Sequence, residues 1–325
     1  MRDRKIKDEI PSQKADSSDV EETKPSTAEG SGIEEDTVIP WHTVIGEGTD
    51  EDIKNHLRGE VGKLTATINS DKNCLISLYH TNDSISSWDA DRVFRALQDE
   101  NADHKKDVLL FLVSSGGSIE PAYQISKICK GYANSTFKAL VPRHAKSAAT
   151  LIALGADEIH MGMMSELGPI DPQLGNLPAL GVKRSLEIIA SICHKYPNSS
   201  DVFAGYLGSK LTIEQIGYSD RVCESAVQYA VRLLEKKEKV SEHAGKIAYD
   251  LVYEYKDHGF VIDLEEARSH LGSSWIISES NEIGFAEKVY QLFNMVNLWL
   301  EILKGKRLLV VGSLLDGMMI LDKKK

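Results

Sequence analysis

Apolar residues along this chain come in blocks whose spacing names the elements they build. Asp107-Val-Leu-Leu-Phe-Leu-Val113 is apolar at every position after the first, the pattern of a strand buried on both faces. A Ser-Ser-Gly-Gly-Ser turn (Ser114 to Ser118) follows, and then helical spacing over 122–130. Residues 136–142 predict a further strand, 145–155 a helix rich in small residues, and 158–161 a short strand. Strand, turn and helix recur about every thirty residues, which calls for parallel strands joined by crossover helices. Upstream, 63–68 and 73–80 read as strands, and 89–99 as an amphipathic helix apolar at Val93, Phe94 and Leu97. Downstream lie a loop with two prolines (164–173) and helices over 182–194, 212–239 and 241–255. Residues 299–325 form an apolar tail that fits no class, and no internal repeat is present. The tail's longest apolar run ends at Asp316 and is too short to span a bilayer.

Composition narrows this picture. A chain of 325 residues, 42% apolar and 27% charged, buries one large core or two modest ones. Its formal net charge of -11 argues against nucleic-acid binding, which needs a basic face. Residues 1–38 carry eleven Asp and Glu against six Lys and Arg, with few large apolar side chains. Such a segment cannot offset its ordering entropy by burial and is expected to be disordered. The expected organisation is therefore an acidic segment over 1–38, an α/β domain over 39–290 and a tail of unknown role over 291–325. Cys74, Cys129, Cys193 and Cys223 are scattered, without metal-ligand spacing, as in a reducing compartment. The polar N-terminus has no secretory pattern, so a cytoplasmic protein is expected, with no metal, no cofactor and no sign of membrane association.

Two turns carry candidate chemistry. Gly116-Gly117 sits at the carboxyl end of a parallel strand, where exposed N–H groups hold a phosphate or a developing oxyanion, or simply make a tight turn. Further on, Arg143-His-Ala-Lys-Ser-Ala-Ala-Thr150 opens a helix after the next strand. A serine there is ordinarily a cap. The alanines around Ser147 (Ala145, Ala148, Ala149) leave room for a substrate carbonyl, and the Ala148 N–H lies where an oxyanion donor is needed. A branched side chain at Gly117 is expected to fill the place of that carbonyl. For a base, His144, His160, His194 and His258 and the lysines Lys183, Lys195 and Lys210 stay open.

Here the residues carry a resemblance. Ser115-Gly116-Gly117-Ser118 before an apolar helix resembles the glycine turn of the Clp protease catalytic subunit and of signal peptide peptidase A. Ala145-Lys146-Ser147-Ala148 resembles their nucleophile turn, and Gly155-Ala-Asp-Glu-Ile159 the strand that follows in signal peptide peptidases. Three further segments are similar to the serine dehydrogenase proteinase family, and all these matches together span roughly Leu64 to Phe285 in shared order. The three segments are Ser165-Glu-Leu-Gly-Pro-Ile-Asp-Pro-Gln173, Lys210-Leu with Ser219-Asp-Arg221, and His258-Gly-Phe-Val-Ile-Asp-x-x-Glu-Ala267.

The resemblance implies a ClpP/crotonase-like spiral of parallel βαβ units with flanking C-terminal helices. It also implies hydrolysis of protein or peptide substrates without a metal, in a homo-oligomer. Ser147 would be the nucleophile, with Gly117 and Ala148 N–H groups as the oxyanion hole and Gly116 in support. Where the Clp subunit has its histidine, this chain reads Gly168-Pro-Ile-Asp171. Signal peptide peptidases take a lysine from a later helix, and Lys210 is similar in position, with Asp171 to orient it or to bind substrate. Lys183 or a histidine is the alternative base. A crotonase-like acyl-CoA enzyme and a non-catalytic scaffold are the rival functions. No Gly-x-x-x-x-Gly-Lys-Ser/Thr motif is present, so ATP dependence would need a separate partner.

Overall fold

The computed structural model describes residues 40–323 apart from 175, 176, 239 and 256. The expected disorder of 1–38 lies outside the described residues. Two helices come first, α1 (Trp41–Glu47) and α2 (Asp50–Thr65). The alternating units follow as β1 (Asn73–Tyr79), α3 (Ser87–Glu100), β2 (Asp107–Val113), α4 (Ile119–Tyr132), β3 (Phe137–Val141) and β4 (His144–Ala145). Then come α5 (Ala148–Leu154), β5 (Glu158–Met161), β6 (Glu166–Leu167), β7 (Gln173–Leu174) and β8 (Leu177–Pro178). The helices α6 (Ala179–Lys195), α7 (Ser200–Lys210), α8 (Ile213–Leu234), α9 (Ala244–Tyr253) and α10 (Leu264–Leu271) lead to β9 (Ile276–Ile277). The chain closes with α11 (Asn281–Lys304), β10 (Lys306–Ser313) and β11 (Met318–Asp322).

One seven-stranded sheet in the order β11-β10-β1-β2-β3-β5-β9 organises the domain. From β1 to β9 neighbouring strands are parallel, as the alternation predicted, while β10 and β11 join antiparallel. The solid apolar run of β2 has a plain cause. Val108, Leu110 and Leu112 face one core with α3, α4 and α5. Leu109, Phe111 and Val113 face the other, against α2 and α11. In that second core Tyr79, Phe111 and Phe293 pack edge to face or tilted, with ring centroids 5.2 to 6.3 Å apart.

Two sequence expectations change. The strand expected over 63–68 is in its first half the last turn of α2. A Thr49–Asp52 capping box starts that helix, and Ile53, Leu57 and Val61, one per turn, bury its inner face. Burial of that stripe outweighs the β preference of Thr-Ala-Thr-Ile. The boundary expected at 290/291 falls inside α11, whose buried Ala286, Val289, Phe293, Val296 and Leu300 repeat at steps of three and four. The apolar tail holds the end of α11, the interior strand β10 and the edge strand β11, and the interior place of β10 is why Leu308 to Val311 shows no alternation. Among the described residues no helix is long and apolar enough to cross a membrane.

Asp157 ties the frame together behind the sheet. Its Oδ2 accepts from Lys130 Nζ on α4 and from the Phe137 N–H of β3, both at 2.7 Å, and Oδ1 accepts from Lys237 Nζ at 2.9 Å. Burial pushes this carboxyl up, but those donors outweigh it and hold the group below its usual range. A depressed carboxyl stabilises the fold above its unfolded pKa of about 3.9, and the contribution is lost as pH falls through the folded value. Asp157→Asn should therefore lose about 2 kcal/mol in urea unfolding at pH 7, the scale of a charge-assisted hydrogen bond. The gap to wild type should shrink below about pH 4; an undiminished gap in acid would show that the charge is irrelevant.

Candidate active site

Strands β2 and β3 lie side by side in parallel, so the turns leaving their carboxyl ends meet. The β3 turn passes through β4 and reaches Ser147, which holds φ 53° and ψ -120°. That left-handed backbone is uncommon for a residue with a Cβ, and it stands a side chain proud at a strand-to-helix turn. Ser147 makes no cap hydrogen bond to α5, so helix capping does not explain it. Its Oγ has no hydrogen-bond partner among the described residues, and the residue is half-buried. Ala145, Ala148 and Ala149 beside it are fully buried, and α5, which begins with the last two, packs against α4.

The β2 turn supplies the opposite wall. Gly116 has φ 108°, and a Cβ there would lie 2.8 Å from Lys146 O, 2.8 Å from Ser147 Cβ and 3.2 Å from Ala148 N. Gly117, at φ 153°, pairs with Ile85, and a Cβ there would meet Ile85 N at 2.2 Å. The close approach to the serine thus belongs to Gly116, whereas Gly117 is required by the backbone of the 80–89 segment. The Gly116 N–H is engaged, donating to Ser114 Oγ at 3.1 Å. The N–H groups of Gly117 and Ala148 have no acceptor among the described residues. Two unfilled backbone donors therefore flank Ser147.

A third segment packs on this pair. β6 joins β4 in parallel, and Leu167 pairs in turn with Ile262. A Cβ on Gly168 would lie 3.1 Å from Lys146 Cβ. Lys146 Nζ donates to Gly259 O at 3.0 Å and lies 3.5 Å from Glu166 Oε2. Residues 144–148, 166–171 and 258–262 are consequently neighbours. On their outer side Asp171, 6% exposed, places Oδ2 3.4 Å from His258 Nδ1 and accepts from Gln173 Nε2 at 3.0 Å. His258 is partly exposed; Gln173 Nε2 also lies 3.2 Å from its Nδ1, and its Nε2 has no partner among the described residues.

The other candidate bases are placed differently. Lys210 is the last residue of α7 and is exposed, in a helix that packs on α6 and on the turn Pro197–Ser199. Among the described residues nothing bonds it to Ser147 or to Asp171. The Lys183 side chain lies outside the described residues. His194 is exposed on α6, as is Lys195. Both ring nitrogens of His160 are occupied, by Ser280 Oγ at 2.7 Å and Glu158 Oε2 at 3.0 Å. Burial, foremost, lowers the pKa of His144. The Asp171–His258 pairing was not legible in the sequence. Its only trace there was the shared order of the Asp171 and His258 segments.

A family model described as ClpP-like SDH-type serine proteinase matches residues 76–301. An uncharacterized protein of Methanocaldococcus jannaschii is 33% identical over 130 residues, which covers 37% of this chain and 44% of that one. A second from the same organism is 28% identical over 166 residues, covering 50% and 51%. The chain spans about half the length of these curated relatives. Among solved structures, a 1510-N membrane-bound stomatin-specific protease is similar at 14% identity and TM-score 0.41, covering 65% of this chain and 81% of that one. ClpP1 from Listeria monocytogenes is similar at 16% identity and TM-score 0.37, covering 69% and 99%.

The two glycines should respond differently to substitution. Gly117→Val forces a branched side chain into the Ile85 backbone at a left-handed φ, and should lose about 3 kcal/mol or more of stability. Gly116→Ala should leave most of the fold and displace Ser147, which circular dichroism and the rate of fluorophosphonate labelling would report separately. A Gly117→Val protein as stable as wild type would refute the steric assignment.

Proposed function

Because the chain belongs to the ClpP-like, SDH-type serine proteinase family, we propose that it is a serine peptidase with Ser147 as nucleophile. The observation that carries this reading is the strained Ser147 backbone, with an unpartnered Oγ between two unfilled amide donors. A crotonase-type acyl-CoA enzyme would have no use for a serine held this way, and neither would a scaffold.

In the proposed mechanism His258 Nε2 takes the Ser147 proton as Oγ attacks the scissile carbonyl, and Asp171 steadies the imidazolium through Nδ1. The 3.4 Å separation of Asp171 and His258 is long for a hydrogen bond, as catalytic contacts often are before substrate tightens them. Gly117 and Ala148 N–H groups receive the tetrahedral oxyanion, a donor being worth about 3–4 kcal/mol. His258 then returns the proton to the leaving amine, and water releases the acyl group.

A lysine base must be desolvated to be neutral near pH 7, and Lys210 lies in solvent at the end of α7. It qualifies only if a second copy covers that helix. Assembly into a homo-oligomer belongs to the proposal, and the exposed Ile188 of α6 and Tyr196 just after it are apolar surface for it to cover.

Ser147→Ala should lower peptidase activity by about 10⁴-fold or more and abolish fluorophosphonate labelling with little change in thermal midpoint. His258→Gln should do nearly the same to turnover, while Lys210→Met and Lys183→Met stay active. Activity that survives in His258→Gln and is lost in Lys210→Met would move the base to the lysine. Full activity in Ser147→Ala would sink the reading.

A further inference from the structure

Beneath the glycine turn lies a buried polar chain that the proposed chemistry does not use. His80 follows β1, Asp89 stands in the first turn of α3, and Ser114 follows β2; each is 2% exposed or less. His80 Nε2 lies 3.0 Å from Asp89 Oδ1, and Ser114 Oγ lies 3.3 Å from His80 Nδ1. Ser114 Oγ accepts the Gly116 N–H at 3.1 Å. Asp89 Oδ2 accepts both the N–H and the hydroxyl of Ser86, each at 2.7 Å. One tautomer satisfies every group. The carboxylate needs a donor, so the ring proton sits on Nε2; Nδ1 then accepts the Ser114 hydroxyl, whose oxygen accepts from Gly116.

Asp89 has a structural duty as well, closing the Ser86 capping box that starts α3. The links from Asp89 to His80 and from His80 to Ser114 lie outside that box. Burial pushes Asp89 up, and the His80 and Ser86 hydrogen bonds outweigh it to hold the carboxyl below its usual range. The chain ends on one particular atom, the N–H of the glycine that touches Ser147.

Gly116 is also the residue most in need of restraint, since without a Cβ its flanking peptide planes turn easily. Both planes are held. Its N–H is held by Ser114, and its carbonyl accepts the Ile85 N–H at 2.9 Å. In a planar trans peptide the Gly117 N–H points opposite to the Gly116 carbonyl, hence away from Ile85. Ser114 is further tied to the nucleophile's own turn, its N–H donating to His144 O and its carbonyl accepting the Lys146 N–H, both at 3.0 Å.

We propose that Ser114, His80 and Asp89 are positioning residues that hold Gly116 so that the Gly117 N–H stays aimed at the oxyanion formed on Ser147. The role rests on the serine-peptidase reading above. It predicts an effect on the transition state larger than the effect on the fold.

The test uses the full chain and a fluorophosphonate probe, whose tetrahedral adduct places an oxygen where the oxyanion would sit. Ser114→Ala should slow maximal labelling by about 10- to 100-fold, somewhat less than outright loss of a donor, with half-saturating probe concentration unchanged. Amide hydrogen exchange at Gly116 should accelerate in parallel. Ser114→Thr, which restores the hydroxyl, should recover most of the rate. Ser126→Ala serves as the matched control: this buried serine bonds Ile152 O between α4 and α5, and its loss should lower the melting point without slowing labelling. Asp89→Asn, which upsets the ring tautomer, covers the case in which Ser114 variants fail to fold, and should slow labelling by about 10-fold. Equal labelling of wild type, Ser114→Ala and Asp89→Asn would overturn the positioning role and leave the peptidase standing. A wild-type chain that is never labelled at Ser147 would overturn both.

Discussion

Gly116 and Ser147 share a space too small for two β-carbons. The Ser147 turn sits where a side chain on residue 116 would be, with Ser147 Cβ and Lys146 O both 2.8 Å from that point. Every other feature of the site follows from keeping those two turns in contact. They leave the carboxyl ends of adjacent parallel strands, so the register of β2 against β3 sets their separation. The small side chains of α5 let that helix settle against α4, which brings the Ala148 N–H down to the level of Gly116. Ser147 is then left in a left-handed conformation that the surrounding packing must enforce, since the isolated residue disfavours it.

The sheet supplies the stiffness for this. Two cores cover its two faces, and α11 with the β10–β11 hairpin completes one face and one edge. Asp157 gathers β3, α4 and the chain after α8 around the α5–β5 connection. The buried His80–Asp89 pair lies on the same side of the sheet, between β1 and α3, and reaches the glycine turn through Ser114.

The outer side of the site is built differently. Asp171 and His258 lie on connecting segments joined to the nucleophile turn by short β pairing and by Lys146, which reaches Gly259 O. The candidate site therefore combines rigid strand ends carrying Ser147 and the Gly117 and Ala148 amides with a looped rim carrying an acid–histidine pair. Loops positioned by a rigid scaffold are a common location for catalytic side chains.

Local pattern alone determined much of this chain. The solid apolar run of β2, the glycine pair after it and the alanine-lined serine after β3 are each legible within ten or so neighbours, because burial and turn chemistry act over that distance. The parallel sheet follows from them, and with it the placing of the glycine turn and the serine turn at the same end of adjacent strands. Tertiary structure decided the rest. It carried α2 on into the first half of the strand expected over 63–68, because Ile53, Leu57 and Val61 had a core to enter. It turned the unclassified tail into an interior strand, because β1 offered a free edge. It assigned the close approach to Gly116 and the backbone clash to Gly117, a distinction that depends on where Ile85 lies. It left Lys210 in solvent and set His258 beside Asp171. A side chain's burial and its neighbours depend on residues distant in the chain, so no local pattern carries them.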